Sequence, residues 1–346
     1  MKNILINRLR SSKKNFVFFT VAFAIILCLI LLNLYIGSIK IPIQEIGNIL
    51  LGKSNSTVWH YIVVESRLPQ ALTATICGAS LAICGLMLQT AFNNPLAGPS
   101  IFGINSGASL GVAIVILLLG GSITTSMLTV GGFFSIILGA FIGASLVIVI
   151  LLIVSNFVKS STALLIIGIM VGYLASAAIS VLNFFATDQS ITAYVMWGMG
   201  NFSSVSLEHL PVFAIFATLC ILASMLLIKP LNALLLGERY AANLGFNTRK
   251  VRMWLLLMTG IQSAITTAYC GPVAFIGLAV PHITRILLHT DNHSVLMPAT
   301  AFVGAITALL CNLACTLPSG GNVIPLNAVT PIIGAPVIIY VVIRHK

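Results

Sequence analysis

Acidic residues are scarce in this chain: six Asp and Glu stand among 346 residues, and charge of either sign makes up only 7%. A soluble globule carries about 25% charged residues to cover its surface. That class is therefore excluded, and with 59% hydrophobic residues and a mean hydropathy of +1.11 the chain reads as a polytopic membrane protein. The acids also avoid the middle of the apolar runs, Asp188 and Glu208 lying near run ends. The buried carboxylate relay of many proton-coupled carriers is thus missing. A C-x-x-C pair is absent as well. The seven cysteines all fall in apolar runs, so they read as small core residues rather than a disulfide framework or zinc site. Cys311 and Cys315 share a helix face, but no His or acid stands beside them. Nothing resembling an A-x-A cleavage site follows the first apolar run, which favours a retained signal anchor over a cleaved leader.

What is abundant is basic charge at the ends of apolar runs. The net charge of +11 would suggest nucleic acid in a soluble protein, but cations in these places are better explained by orientation in a membrane, and no nucleic-acid partner is expected. A basic stretch, residues 1–15, precedes the apolar run Phe16 to Ile36. Further runs cover Leu68 to Gln89, Ile101 to Leu119, Met127 to Val154, Thr162 to Phe185, Leu210 to Ile228, Met253 to Cys270, Val273 to Leu287, Leu296 to Thr316 and Leu326 to Ile343. The stretch from Met253 to Leu287 would reach about 50 Å as one helix, well beyond a bilayer core of about 30 Å. Gly271-Pro272 therefore reads as a hairpin. Ten spans with both termini cytoplasmic put 14 of the 17 Lys and Arg inside, whereas nine spans put 11 inside, so the positive-inside rule selects ten. The expected fold is all-α, with residues 16–346 forming a single transmembrane domain.

Three kinds of stretch stand out. Residues 229–252, KPLNALLLGERYAANLGFNTRKVR, hold six of the 23 charged residues, and within them Gly237 and Gly245 bound a short helix-forming run. Something outside the membrane is expected to touch it; a merely solvated anchoring loop is the competing reading. Two irregular stretches, AFNNPLAGPSIFG (91–103) and GPVAFIGLAVPHITR (271–285), mix Gly and Pro with apolar residues. Such backbone is tolerated at membrane depth only where protein buries it or a cavity meets it, so they point to a pathway or a docking cleft. His282, after Pro281, reads as a hydrogen-bonded packing residue, with a ligand role the competing reading. Glycines at i,i+4 spacing (Gly103, Gly107, Gly111; Gly139, Gly143) suit close helix packing. Residues 47–54, GNILLGKS, match the phosphate-loop pattern letter for letter, but the match ends an amphipathic helix-like stretch instead of opening a helix after a strand, so it is expected to be inert. That stretch, with Ile43, Ile46, Ile49 and Leu50 on one face, is expected to lie on the outer surface.

The segments SRLPQALTATICGASLAICGLMLQTAFNNPLAGPSIFGINSGASLG (66–111), GERYAANLG (237–245), GPVAFIGLAVPHITR with the following DNHSVLMP, and IPLNAVTPIIGAPVIIY (324–340) resemble the FecCD (BtuC-like) family, permease subunits of ABC importers for iron-siderophore, haem or cobalamin. The resemblance implies ten helices per subunit, a second permease subunit expected as a homodimer, two cytoplasmic ATPase subunits and an external substrate-binding protein, in a bacterial cytoplasmic (inner) membrane. It implies that Leu235, Gly237, Glu238, Ala241, Ala242 and Gly245 couple to the ATPase, with Asn93, Asn94, Pro95 and Gly98 on the same cytoplasmic side. It assigns docking of the binding protein to the region of Arg67 and Gln70. Here the chain departs from the family's RLPR by reading RLPQ, has Val323-Ile324-Pro325 where a Glu-hydrophobic-Pro is common, and carries Thr316 near the place of a further outer arginine. Neither cofactor nor resident metal is expected, and no catalytic residue: ATP hydrolysis belongs to the separate subunit. A secondary, ion- or proton-coupled transporter is the alternative function; an intramembrane hydrolase around NSGAS (105–109) and His282 is a third.

Overall fold

A helix hydrophobic all round and rich in small residues is built to be surrounded by other helices, and one such helix sits at the centre of this fold. The computed structural model describes residues 2–37, 39–53, 56–118, 130–158, 160–317 and 323–344. Among them there is helix and turn but no strand. In chain order the helices are α1 (Lys2–Tyr35), α2 (Ile43–Leu50), α3 (Thr57–Ala91), α4 (Ile104–Leu118), α5 (Val130–Phe157), α6 (Ser161–Phe185), α7 (Asp188–Gly198), α8 (Leu210–Met225), α9 (Ile228–Leu234), α10 (Glu238–Asn243), α11 (Thr248–Cys270), α12 (Ile276–Leu288), α13 (His293–Thr316) and α14 (Leu326–Arg344). The central one is α3. It widens to an i→i+5 turn over Tyr61–Arg67 just before Pro69, whose missing N–H an ordinary helical turn would feel.

Around α3 pack α8, α11, α12 and α13, with α1 at its outer flank, and 78% of its most apolar window is buried. Its first half joins a core with Phe202, Phe213, Val280 and Leu309, its second half a core with Phe102, Ile116, Leu151 and Leu255. Close approach is possible because glycine faces glycine. A Cβ on Gly85 would run into the carbonyl of Gly277 on α12, and one on Gly78 into that of Gly304 on α13. The expected i,i+4 glycines do the same between α4 and α5, where Gly107 and Gly111 lie against Gly143 and Gly139. Cys77, Cys84, Cys270, Cys311 and Cys315 are buried as expected of core residues; Cys28, on the outside of α1, is not.

Five described helices are long and apolar enough to cross a membrane alone, six if α8 and α9, bent by 51°, form one span. The runs Ile104–Leu118, Ile276–Leu288 and Leu326–Val341 are apolar but shorter. In α11 the length is present, 23 residues, but Thr259, Gln262, Ser263, Thr266 and Thr267 form a polar face that is buried against protein. Each of the ten expected runs thus overlaps a described helix, while length and composition by themselves qualify fewer. The basic N-terminal stretch is helical with the apolar run that follows: α1 is continuous over 34 residues, about 51 Å, so its first turns project beyond a core of about 30 Å. In α2 only Ile46 and Ile49 pack, against Leu34, Ile41 and Val63, while Ile43 and Leu50 stay exposed. Ser54 of the phosphate-loop match, the start of the Met127 run, the side chains of Lys2, Arg8 and Arg10, and Lys346 lie outside the described residues.

Candidate functional site

The stretch 229–252 folds as two short helices and a cap. Gly237 (φ +98°) and Gly245 (φ +87°) take backbone conformations that side chains resist, which sets off α10 from its neighbours. Asn247 then caps α11, its side chain accepting from the Lys250 N–H at 3.1 Å. Glu238, in the first turn of α10, pairs with Arg252 on α11, and Arg249 donates to the Asn156 carbonyl at the end of α5 at 2.6 Å. These bonds fix the loop to the bundle by its charged residues and leave an apolar ridge outward. Leu235, Leu236, Tyr240 and Leu244 are between 44% and 62% exposed. Of the small residues expected to touch a partner, Ala242 is exposed but Ala241 is fully buried, because α10 turns that face onto the bundle. Ala241 is therefore a packing residue. Leu236, Tyr240 and Leu244 were not singled out from the sequence, although their i,i+4,i+8 spacing carried the signal.

The second irregular region begins where α3 ends. Asn93 takes a positive φ of 43°, the Asn94 side chain accepts from the Leu96 N–H at 2.9 Å, and the Pro95 carbonyl accepts from His282 Nε2 at 2.8 Å. His282 is thus the packing residue expected. Gly98 faces only a leucine methyl at ordinary contact distance, so space does not demand glycine there. The turn and the loop are joined through the start of α13. Asn232 Oδ1 accepts from the His293 backbone N–H at 2.8 Å and from His293 Nδ1 at 3.0 Å, and the Thr90 hydroxyl donates to Nε2 at 2.9 Å. With His293 fully buried, this assigns the proton to Nδ1 and ties α9 to the last turn of α3. Beside it, Arg285 donates to Gln89 Oε1 at 2.8 Å and pairs with Asp291 at 3.5 Å.

The break between α11 and α12 is the third irregular element. Gly271 (φ +73°) and Phe275 (φ +67°) turn the chain sharply, and both flanking helices pack on α3. Freed backbone groups are met from outside the break: Asn327, at the start of α14, donates to the Pro272 carbonyl (2.6 Å) and to that of Gly198 on α7 (3.1 Å) and accepts from the Ala274 N–H (3.2 Å), while the Asn201 N–H donates to the Cys270 carbonyl (2.9 Å). That is how such backbone survives at membrane depth. Between this break, α4, α6 and α7 lies a cleft of about 490 Å³, lined by Ser106, Ser109, Ser176, Ser180, Tyr194 and Asn327 among others. Ser100, from the stretch after α3, also borders it, so that stretch and the break meet at one cavity. Its wall carries hydroxyls and amides and no charge. Asn105 is held in place by donation from Ser263 and Thr267, each at 3.3 Å.

At the far end of α3, Arg67 and Gln70, the residues expected near the docking site of a binding protein, both bond within the bundle. Arg67 is 7% exposed and turned inward: its guanidinium donates to the carbonyls of Leu34 (2.7 Å), Tyr35 (3.0 Å) and Ile39, closing the end of α1. A five-donor fork suits three converging carbonyls. Gln70 likewise donates to Asn312 Oδ1 at 2.9 Å, and Asn312 to Asn33 Oδ1 at 2.8 Å, an amide chain linking α3, α13 and α1. Among the described residues no group of His, Cys, Asp and Glu is arranged to hold a metal ion.

Comparison with known proteins places this geometry. The profile of the FecCD transport family matches residues 25–344. The chain is 32% identical over 313 residues to the hemin transport system permease protein HmuU of Yersinia pestis, covering 90% of each. It is 32% identical over 292 residues to the vitamin B12 import system permease protein BtuC of Vibrio cholerae, covering 84% of this chain and 85% of that one. Its fold is similar to a solved structure described as an inward-facing conformation of a metal-chelate type ABC transporter, with a TM-score of 0.78 and 30% identity over 95% of this chain and 99% of that one.

Proposed function

The chain belongs to the FecCD transport family, and from that premise we propose that, as the permease subunit of an ABC importer, it carries an iron chelate, siderophore or haem, with cobalamin the other candidate cargo. Ten spans, cytoplasmic termini and residence in the cytoplasmic membrane of a bacterium are part of the same reading. The observation that carries it is the exposed apolar ridge Leu235, Leu236, Tyr240 and Leu244 on a loop braced from behind by Arg252 and Arg249. An apolar ridge on a rigid base is a docking surface for another protein, here an ATPase subunit, one for each of two permease copies. Glu238, Ala242 and Gly245 flank it. The turn Asn93 to Gly98, joined to the loop through His293, is proposed to lie at the same interface. On α6, Tyr173, Leu174, Phe184 and Phe185 are at least 67% exposed, and a second copy of the chain is proposed to cover this face. An external binding protein delivers the cargo. The uncharged, hydroxyl-lined cleft offers a bulky chelate weak contacts it can leave again.

The secondary-carrier alternative needs a buried titratable acid, and none of the six acids is buried. Reconstitution separates the two readings. Proteoliposomes holding the permease, its ATPase and the binding protein should accumulate a radiolabelled ferric chelate only with ATP. Accumulation driven by an ion gradient without the ATPase would overturn the proposal.

A further inference from the structure

A groove of about 1120 Å³ runs between α1 and the helices α12, α13 and α14, away from the loop, the turn and the serine-lined cleft. On α1 its wall is Lys14, Phe18, Val21, Ala22 and Ile25, residues of one helix face. Lys14 to Ile25 spans 11 residues, about 17 Å at 1.5 Å per residue, or roughly half of a core of about 30 Å. The groove is therefore one leaflet deep. Its floor is Ala22, 4% exposed, whose small side chain leaves the space open, and Phe18, Phe19 and Phe302 brace its side through edge contacts. The opposite wall is apolar too, with Val303, Ile306 and Leu310 on α13. Lys14, Asn15 and His289 stand at the mouth, and the one other polar lining residue, Thr307, turns its hydroxyl back to the Val303 carbonyl at 2.8 Å.

That distribution is the inverse image of an amphiphile with a negative head. No lining residue is acidic, and among the described residues the two ion pairs are Arg252–Glu238 and Arg285–Asp291, so Lys14 meets no acid. Lys14 and His289 also stand beside the carbonyl end of α12, whose partial negative charge would otherwise repel an anion. We propose that the groove holds an anionic phospholipid, its headgroup at Lys14 and His289 and its acyl chains along Val21, Ala22, Ile25 and Leu310. Basic pockets between helices at the membrane surface recognise headgroups in this way. A lipid seated there splints α1 to α12, α13 and α14, filling a volume that direct helix packing leaves empty.

Native mass spectrometry of the purified full-length chain, incubated with equal phosphatidylglycerol and phosphatidylcholine, tests the proposal. Phosphatidylglycerol should be retained about fivefold over phosphatidylcholine, the scale of one lysine near an anionic headgroup. Lys14→Arg should keep that preference and Lys14→Glu abolish it. Val21→Trp, at a residue 51% exposed and so tolerant of bulk, should plug the groove and lower retention of both lipids. All three variants alter exposed positions, and melting in neutral detergent should match the parent. Equal retention of the two lipids by the parent chain would overturn the proposal, as would an undiminished preference in Lys14→Glu or undiminished binding in Val21→Trp.

Discussion

Replacing Arg67 by alanine should weaken the fold rather than the docking of a partner, and the size of the effect follows from its three acceptors. A hydrogen bond to a charged group contributes about 1.5–3 kcal/mol. Tyr35 and Ile39 are 45% and 53% exposed, so water or headgroups can replace the guanidinium there, but Leu34 is 2% exposed and its carbonyl loses its donor outright. We expect a loss of about 3 kcal/mol, with lysine recovering about half because a point charge cannot serve three carbonyls at once. Gly37 supplies the control. A Cβ there would lie 2.6 Å from Arg67 Nη2, so Gly37→Ala should also destabilise, yet add little once Arg67 is alanine. Unfolding in mixed micelles, followed by circular dichroism across the four-variant cycle, measures both terms. An Arg67→Ala protein within about 0.5 kcal/mol of the parent, but slow to bind the external protein at low salt, would refute the inward role and restore a docking charge.

On the loop, Ala242→Trp should uncouple or dissociate the ATPase while the permease stays folded, and Tyr240→Asp should weaken its binding at least tenfold, the cost of a charge set in an apolar contact; pull-down of the ATPase measures both, and normal coupling would mean a merely solvated loop. His293→Leu removes the bond to Thr90 and one of two to Asn232, and should cost about 1–3 kcal/mol with a lower uptake per ATP. Lys53→Ala should leave the ATPase rate of the assembled complex within about twofold, as for an ordinary surface change; a hundredfold loss would revive a nucleotide role for the phosphate-loop match. Cysteines placed singly at Ser56 and Thr248 in a Cys-free chain test orientation: an impermeant thiol reagent should label the first in intact cells and not the second.

What the sequence made legible was local. The positive-φ glycines bounding α10, the break at Gly271 and the glycine faces of α4 and α5 each rest on residues within a few positions of one another. What it did not show was decided at long range. Arg67 at a run end carries no local sign of its acceptors, carbonyls that lie 28 to 33 positions earlier. Asn327 meets Pro272 across 55 positions and Asn105 meets Ser263 across 158, separations that no periodicity records. In α10, six residues are too few for a buried face to declare itself, so Ala241 and Ala242 looked alike.

Glycine-on-glycine contacts pick out two sets of helices, two bodies that the loop joins. Gly85 against Gly277 and Gly78 against Gly304 bring backbone onto backbone, which fixes α3, α12 and α13 to one another with no side chain left to adjust. Gly107 and Gly111 against Gly143 and Gly139, with Gly103 against Gly168, do the same for α4, α5 and α6. Between them α11 packs on both α3 and α5, and its hydroxyls on Ser263 and Thr267 reach Asn105 at 3.3 Å. The serine-lined cleft lies on that seam, lined by Ser106 and Ser176 from the second body and by Pro272 and Ala274 from the break before α12. The loop is fastened to the first body by Asn232 and His293 and to the second by Arg249 and Asn156. A push on it is therefore shared across the seam.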